Sequence, residues 1–298
     1  MKILVTGSSG FVGQNLVPYL TEHGFHDILT PDLRKEDINL EGVDVIIHLA
    51  GKAHDLKHAA DDDVYFNVNY GLTKKLYDAY LLSNASQFLF VSSVKASADT
   101  VKNILKEDDL PKPETIYGKS KLKAEEYIQS QPLPSGKSYN IFRPCMIHGP
   151  GNKGNLNLLY KLVAKGYPYP FAGFENKRSF LSVENLCFIL LEVVQRKNLP
   201  NGIYQVADDK SLSTNEVIKI IASESGKKAK LWRIPAKLII MTAKIGNILK
   251  LPLNTERLTK LTENYIVDNT KIKDWLKKDL PLTSVAGMRK TIENFKKS

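Results

Sequence analysis

A glycine-rich turn directly after the first β-rich run constrains the fold of this chain more than any other feature. The run Lys2–Thr6 leads into the turn, and an amphipathic stretch, Phe11–Glu22, follows at once. Glycines at such a junction permit a tight turn and let backbone N–H groups approach a phosphate at the N-terminus of the helix. The spacing G-x-x-G-x-x-G between a strand and a helix therefore predicts a dinucleotide site, lined by Gly7, Ser9, Gly10, Phe11, Val12 and Gly13.

Short β-rich runs alternate with helix-period stretches through the first half of the chain. Runs such as Val45–Ile47 are continuously apolar, which suits strands covered on both faces of a parallel sheet. The predicted strands are Lys2–Thr6, Asp27–Pro31, Val43–Leu49, Phe88–Ser92 and Tyr139–Phe142, and the predicted helices are Phe11–Glu22, Val64–Ser83 and Tyr117–Gln129. The pattern predicts an α/β fold, namely a Rossmann-like, doubly wound parallel sheet with a smaller, mostly helical substrate-binding lobe.

The pattern changes after residue 148, where a segment rich in glycine, Gly149–Gly154, interrupts the alternation. Further on, Gly202–Ala207 has the pattern of a strand that returns to the sheet. We therefore expect a dinucleotide-binding domain of residues 1–148 plus about 181–207, interleaved with a substrate-binding lobe of residues 149–180 and 208–298.

Composition excludes several classes of protein. With 298 residues, 43% hydrophobic and 25% charged, the chain has ample apolar material for a core. The longest apolar candidate, Leu238–Leu249, is interrupted by Lys244 and Asn247 and predicts an amphipathic helix, so no membrane insertion is expected. Two cysteines fit a reducing compartment, and Met1 runs straight into a strand with no signal peptide, so we expect a cytoplasmic protein.

The formal net charge of +10, from 42 basic and 32 acidic residues, raises the question of a nucleic-acid partner. Much of the excess is lysine scattered through the second half, and no arginine-rich stripe or basic motif interleaved with aromatic residues occurs. A solvated basic surface explains this pattern, so no nucleic-acid partner is expected.

Asp32 follows the glycine turn by about twenty residues, where a carboxylate accepts hydrogen bonds from the adenosine ribose. Such a carboxylate repels a 2′-phosphate and favours NAD, whereas the guanidinium of Arg34 would hold that phosphate. NAD is therefore predicted, with NADP as the alternative. Asp37 and Ile38 are placed to close over the adenine, with Asp37 accepting from its amino group.

Tyr117 and Lys121 stand four residues apart in a predicted helix and so share one face. A cation beside a phenol lowers the tyrosine pKa and suits the tyrosine for proton transfer. Ser92 and Ser93 end the preceding strand, where a hydroxyl can bind the reacting oxygen of a substrate. Tyr70-x-x-x-Lys74 repeats the spacing without a serine at a strand end, and we interpret it as structural.

The strand that begins at Val43 ends in His48-Leu49-Ala50-Gly51. The small residues Ala50 and Gly51 let the backbone pass close to a cofactor. His48 lies inside the apolar run, and we interpret it as a core histidine rather than a catalytic one.

In this order along the chain, these motifs resemble the extended short-chain dehydrogenases/reductases of the NAD-dependent epimerase/dehydratase group, which act on nucleotide sugars. Further matches are Arg143-Pro144 and Gly149-Pro150-Gly151, and the resemblance is strongest in the first 190 residues. It implies that Tyr117 is the acid/base, that Lys121 holds the nicotinamide ribose and that Ser93 binds the reacting oxygen. It implies no metal ion, and cofactor contacts from Leu49, Ala50, Gly51, Asn69, Val91, Ser92, Tyr117, Lys121, Arg143 and Pro144.

The resemblance also implies a nucleotide-diphosphate sugar as substrate, in the first place a UDP-sugar. Asn155 and Arg178 match positions that contact the diphosphate in the family, and Arg257 is a further candidate. An arginine suits a diphosphate because its planar fork donates two parallel hydrogen bonds.

The reaction itself stays open between related chemistries. Sugar 4,6-dehydratases carry an Asp-Glu pair where this chain has Val94-Lys95, which argues against dehydration. An epimerisation like that of UDP-glucose 4-epimerase and the reduction of a 4-keto-6-deoxy nucleotide N-acetylhexosamine in surface polysaccharide biosynthesis both remain. A non-catalytic NAD(P)-binding sensor is a third alternative. The resemblance further implies a homodimer that pairs the helices Val64–Ser83 and Tyr117–Gln129.

Overall fold

The computed structural model describes residues 1–35, 37–52, 62–152, 154–249 and 254–297. Its strands are β1 (Ile3–Thr6), β2 (Ile28–Leu29), β3 (Val45–His48), β4 (Gln87–Val91), β5 (Ile104–Leu105), β6 (Ser138–Pro144), β7 (Met146–His148), β8 (Phe180–Ser182), β9 (Gly202–Val206) and β10 (Ile266–Val267). Six of them form one parallel sheet in the order β2-β1-β3-β4-β6-β9. The Rossmann-like sheet predicted from the sequence is confirmed.

Helices connect these strands and cover both faces of the sheet. They are α1 (Phe11–Glu22), α2 (Asp62–Phe66), α3 (Leu72–Leu82), α4 (Ile116–Ser130), α5 (Asn155–Ala164), α6 (Val183–Arg196), α7 (Thr214–Glu224), α8 (Ala236–Leu249), α9 (Thr255–Thr262), α10 (Thr270–Leu276) and α11 (Ser284–Lys297). The helix predicted over Val64–Ser83 is divided, because a π-helical turn, Asn67–Gly71, separates α2 from α3.

The core lies on both sides of the sheet. On one side α1 and α6 pack their leucines, such as Leu16 and Leu190, against the sheet. On the other side α3 and α4 contribute Tyr77 and Ile128, among others. Strands β1, β3 and β4 are buried along their whole length, which explains their unbroken apolar runs. Because all six strands are parallel, their carboxyl ends meet at one edge, and the loops that follow them share that edge.

A second, mainly helical region follows β6. Helices α5, α7 and α11 pack around a core of their own that includes Leu156, Ile221 and Ile292. Strand β9 lies between α6 and α7 in the chain and pairs with β6 at the edge of the large sheet. The division into two interleaved domains stays a prediction. Within the described ranges, no helix combines the length and the apolar character needed to cross a bilayer.

Candidate functional site

The glycine turn between β1 and α1 is so tightly packed that two of its positions admit only glycine. Gly7 has a φ of 72°, and a Cβ there would lie 2.7 Å from the backbone nitrogen of Ala50. A Cβ on Gly13 would lie 2.4 Å from the carbonyl oxygen of Gly7. Among the described residues no side chain caps α1 at Gly10. The first N–H groups of α1 therefore suit an anion, and the turn fits the phosphates of a dinucleotide.

Asp32 and Arg34 lie after β2 and bind each other. Arg34 donates from Nε to Asp32 Oδ1 at 2.9 Å and from Nη2 to Oδ2 at 3.1 Å. These hydrogen bonds hold the pKa of the Asp32 carboxyl below its usual value. Since the pair is partly exposed to water, it is weak and can open for a ligand. Nearby, Asp37 is exposed and Ile38 is half-buried.

Asn69 connects the loop after β3 to α4. Its Oδ1 accepts from the backbone nitrogen of Lys52 at 2.7 Å, and its Nδ2 donates to the Ser120 hydroxyl at 2.9 Å. A Cβ on Gly51 would lie 3.0 Å from both Asn69 Oδ1 and Lys121 Nζ. The amide of Asn69 is thus occupied by the protein, and its contribution is to hold Gly51 beside Lys121.

Tyr117 and Lys121 lie on the first two turns of α4, which begins here because Thr115 accepts a hydrogen bond from the Gly118 nitrogen at 3.2 Å. Ser93 follows β4 directly, and its hydroxyl lies near enough to the Tyr117 phenol to favour the ionised form of that phenol. Lys121 is 3% exposed, and its Nζ donates to the carbonyl of Val91 at 3.1 Å. The structure therefore places Ser93 beside Tyr117, and it places Lys121 one helical turn further along α4, at the end of β4.

Gly118 is a residue of the site that the sequence analysis overlooked. A Cβ on Gly118 would lie 2.3 Å from the carbonyl oxygen of Lys95 and 2.9 Å from Cβ of Pro113. Lys95 belongs to the 3-10 turn Val94–Ala96, which starts directly after Ser93. Only glycine lets α4 approach this turn closely enough for Tyr117 to meet Ser93.

Burial dominates the protonation equilibria of the cluster. It raises the pKa of the Tyr117 phenol above its usual value, and the hydrogen bond from Ser93 partly opposes this shift. Burial lowers the pKa of Lys121 to about 8, while Glu125 opposes that shift. The prediction of a lowered pKa for this phenol is therefore wrong, because burial outweighs the groups that favour its ionised form.

Glu125 and Arg143 form a buried ion pair beneath the cluster, and the sequence analysis gave Glu125 no role. Arg143 donates from Nη2 to Glu125 Oε2 at 2.6 Å and from Nε to the same carboxylate at 3.1 Å. Ser92 donates its hydroxyl to Glu125 as well. The fold gives the side chains of Arg143 and Ser92 a contact with this carboxylate, and the cofactor contacts expected from these two residues stay a prediction. Glu125 lies four residues after Lys121, which is the signal that would have found it.

His48 and Lys74 both have polar partners within the protein. His48 is fully buried between the hydroxyls of Thr6, 2.6 Å from Nδ1, and Thr73, 2.9 Å from Nε2. Burial lowers the His48 pKa to about 3, so its interpretation as a core histidine agrees with the structure. Lys74, of the second Tyr-x-x-x-Lys match, binds Asp78 at 2.7 Å. Within the described part of the chain, no cluster of three His, Cys, Asp or Glu suits a metal ion.

The residues predicted to bind the substrate diphosphate are only partly described. Arg178 donates to Glu263 at 2.9 Å, and its side chain is 21% exposed. Its backbone bridges to Tyr265, whose hydroxyl donates to the Ala98 carbonyl at 2.6 Å. Arg178 therefore lies where the second, mainly helical region contacts the loop after Ser93. The side chains of Asn155 and Arg257 lie outside the described residues.

Fold and site together define a Rossmann-like α/β protein with a serine, a tyrosine and a lysine at the carboxyl edge of its sheet. The chain belongs to the NAD-dependent epimerase/dehydratase family, whose model matches residues 3–207. It is 30% identical to a UDP-glucose 4-epimerase of Vibrio cholerae over 99% of this chain and 95% of that protein.

Two further proteins are similar over most of their length. The N-acetyl-alpha-D-glucosaminyl-diphospho-ditrans,octacis-undecaprenol 4-epimerase of Escherichia coli O157:H7 is 27% identical over 91% of this chain and 88% of that protein. The crystal structure of UDP-glucuronic acid 4-epimerase from Bacillus cereus in complex with NAD superposes with a TM-score of 0.75. That superposition covers 100% of this chain and 99% of the other at 19% identity, and it supports the fold.

Proposed function

We propose that this protein is an NAD-dependent 4-epimerase of a UDP-hexose, with Tyr117 as its acid/base. The observation that carries the proposal is the cluster of Ser93, Tyr117 and buried Lys121 beside a glycine turn that fits a dinucleotide. The similarity to the Vibrio cholerae UDP-glucose 4-epimerase along nearly the whole chain supports the choice of epimerisation and of UDP.

The turn from Gly7 to Gly13 would hold the pyrophosphate, Asp32 the adenosine ribose, and Lys121 the nicotinamide ribose. Leu49, Ala50 and Gly51 would line the cofactor from the end of β3. When bound, NAD would supply the redox chemistry, as acceptor and donor of the hydride at C4 of the sugar, and its positive charge would favour the ionised form of the Tyr117 phenol.

Each of the three side chains has a distinct task in the proposed reaction. Tyr117, as phenolate, removes the proton of the C4 hydroxyl as that carbon is oxidised, and it returns the proton when the carbon is reduced. Ser93 donates a hydrogen bond to the same oxygen and keeps it in place through both steps. Lys121, as a cation, stabilises the phenolate, and its buried position strengthens this effect.

On the substrate side, Arg178 would exchange its ion pair with Glu263 for the nucleotide diphosphate. Asn155 and Arg257 remain candidates for binding the same diphosphate. The homodimer that pairs the helices predicted over Val64–Ser83 and Tyr117–Gln129 stays a prediction. NADP in place of NAD stays the alternative, because Arg34 can bind a 2′-phosphate once it leaves Asp32.

The test is to incubate the purified protein with UDP-glucose and, separately, with UDP-galactose, and to quantify both sugars by anion-exchange chromatography. We expect both reactions to reach the same ratio without net consumption of NADH, and denatured protein to release nearly one NAD per chain. A third incubation, with a 4-keto-6-deoxy nucleotide N-acetylhexosamine and NAD(P)H, tests the alternative. Consumption of one NAD(P)H per 4-keto sugar, without interconversion of the UDP-hexoses, would establish the 4-ketoreductase. Bound cofactor with neither reaction would leave the non-catalytic sensor.

A further inference from the structure

The positive charge of the chain is concentrated in one segment rather than dispersed. Residues 227–262 contain nine lysines and arginines and a single acidic residue, Glu256, and so carry +8 of the total +10. The rest of the chain is nearly neutral. Because like charges this dense repel each other, such a segment calls for an anionic counterpart.

Helix α8 lies in this segment and has two separate apolar stripes. Ile239 and Ala243 are buried against Phe171, Phe174 and Leu258. On the other side of the helix, Leu238, Met241 and Ile245 follow one another at intervals of three and four residues, so they share a face. They are 51%, 54% and 44% exposed. A helix that already packs through one stripe has no structural need for a second one in contact with water.

Basic residues border the exposed stripe. Lys237 and Lys244 are exposed and fall, by helical geometry, on one side of the Leu238 stripe. The segment before α8 adds Trp232, which is 56% exposed and stands next to Arg233. The combination of an apolar stripe, bordering lysines and an exposed tryptophan is the pattern of a helix that lies in a membrane interface.

We propose that the described part of this segment, residues 227–249, docks the protein on an anionic lipid bilayer, with the stripe Leu238-Met241-Ile245 of α8 in the interface. A nucleic acid would satisfy the charge and leave the apolar stripe in water. A second copy would cover the stripe and bring two strongly positive segments together. The anionic bilayer is the occupant that satisfies both features, and this inference does not depend on the proposed epimerase activity.

The experiment is co-sedimentation of the full chain with phosphatidylcholine vesicles and with vesicles that contain 30% phosphatidylglycerol. We expect binding to the anionic vesicles alone, and its loss in 0.5 M salt. The triple variant Leu238→Ser/Met241→Ser/Ile245→Ser and the double variant Lys237→Ser/Lys244→Ser should each bind at least about tenfold more weakly. Matched controls outside the segment, Leu82→Ser/Leu110→Ser and Lys296→Ser/Lys297→Ser, should bind like the wild type.

Three kinds of result would overturn the proposal. The first kind is no binding to anionic vesicles, equal binding to neutral and anionic vesicles, or wild-type binding by both segment variants with their circular dichroism unchanged. The second is a dimer, seen by light scattering, that the Leu238→Ser/Met241→Ser/Ile245→Ser variant dissociates while vesicle binding persists; the stripe would then join two copies. The third is retention of duplex DNA that the lysine variant weakens and the apolar variant leaves intact, combined with no vesicle binding.

Discussion

Two segments of this protein carry the same five-residue pattern, Tyr-Gly-x-x-Lys, and their surroundings give the two lysines opposite properties. Lys121 is almost fully buried and donates to a backbone carbonyl, and burial lowers its pKa to about 8. Lys74 is half-exposed and binds Asp78 and the Tyr127 hydroxyl, which raise its pKa. Sequence spacing places a lysine near a tyrosine, but the neighbours of both decide what the pair can do.

The tyrosines and glycines differ in the same way. Tyr117 meets Ser93 at the end of β4, whereas Tyr70 packs edge-to-face against Tyr127 at a ring distance of 6.0 Å. A Cβ on Gly118 would collide with a carbonyl at 2.3 Å, whereas one on Gly71 would make an ordinary contact at 3.8 Å. The pattern at Tyr117 therefore lies at a tightly packed edge of the sheet. The pattern at Tyr70 lies on a helix where a larger side chain than glycine fits.

We expect the largest difference between the two sites in the free energy of unfolding that is lost when the carboxylate near each lysine is replaced. Glu125→Gln should lower the free energy of unfolding by about 3–5 kcal/mol, because it leaves the buried Arg143 guanidinium without a counter-charge. Asp78→Asn, at the exposed Lys74, should cost less than about 1 kcal/mol. Urea unfolding of the two variants measures both values. Equal costs would remove the distinction between the two environments.

Replacing the lysines themselves separates activity from stability. Lys121→Met should reduce epimerase turnover by about 10²-fold or more, since the phenolate loses its cation. It should not lower the free energy of unfolding, because burial of the ammonium already disfavours the charged form. Lys74→Met should leave turnover within about twofold of the wild type. A Lys121→Met enzyme with normal turnover would remove this lysine from the mechanism.

The glycines give a matched pair of smaller perturbations. Gly118→Ala should reduce turnover by about tenfold, because α4 has to move away from the Lys95 carbonyl and so separates Tyr117 from Ser93. Gly71→Ala should have little effect on turnover. Steady-state kinetics, with circular dichroism as the check on folding, tests both. Comparable losses in the two variants would contradict the role given to the close approach of α4.

The smallest expected effect is a difference in the pH at which Lys121 and Lys74 lose their protons. Since burial lowers the pKa of Lys121 to about 8, its ammonium in the cofactor-free protein is charged below pH 8 and loses its proton as pH rises above it. The unfolded chain keeps this proton up to its ordinary pKa near 10.5, so the cost of burying the charge disappears as pH rises from about 8 to 10.5. NMR titration should show Lys121 near pH 8 and Lys74 above 10.5. A Lys121 titration above 10 would refute the burial effect.

The sequence predicted those parts of the fold that depend on local pattern. The run Lys2–Thr6, the glycine turn and Phe11–Glu22 appear in the structure as β1, a turn at positive φ and α1. Val45–Ile47 lies in a strand covered on both faces. These elements were predictable because apolar periodicity and glycine geometry act over a few residues.

Features that depend on distant parts of the chain were not predicted. The pairing of Glu125 with Arg143 joins α4 to β6, and the contact of Gly118 with Lys95 joins α4 to the turn after β4. The family resemblance gave Arg143 a cofactor role, and the fold adds a contact of its guanidinium with a buried carboxylate that no local pattern predicts. Likewise, the lysine excess was interpreted as scattered through the second half of the chain, and the exposure of α8 is what gives its concentration in 227–262 a meaning.

The central claim is that Tyr117 exchanges the proton at C4 of a UDP-hexose and that Tyr70, in the same pattern, does not. The most direct test is the rate of UDP-galactose formation from UDP-glucose in Tyr117→Phe and Tyr70→Phe, with NAD content measured in both. The account predicts a loss of at least about 10²-fold for Tyr117→Phe, with bound NAD retained, and a rate close to the wild type for Tyr70→Phe. An unchanged rate in Tyr117→Phe, or an equal loss in both variants, would contradict it.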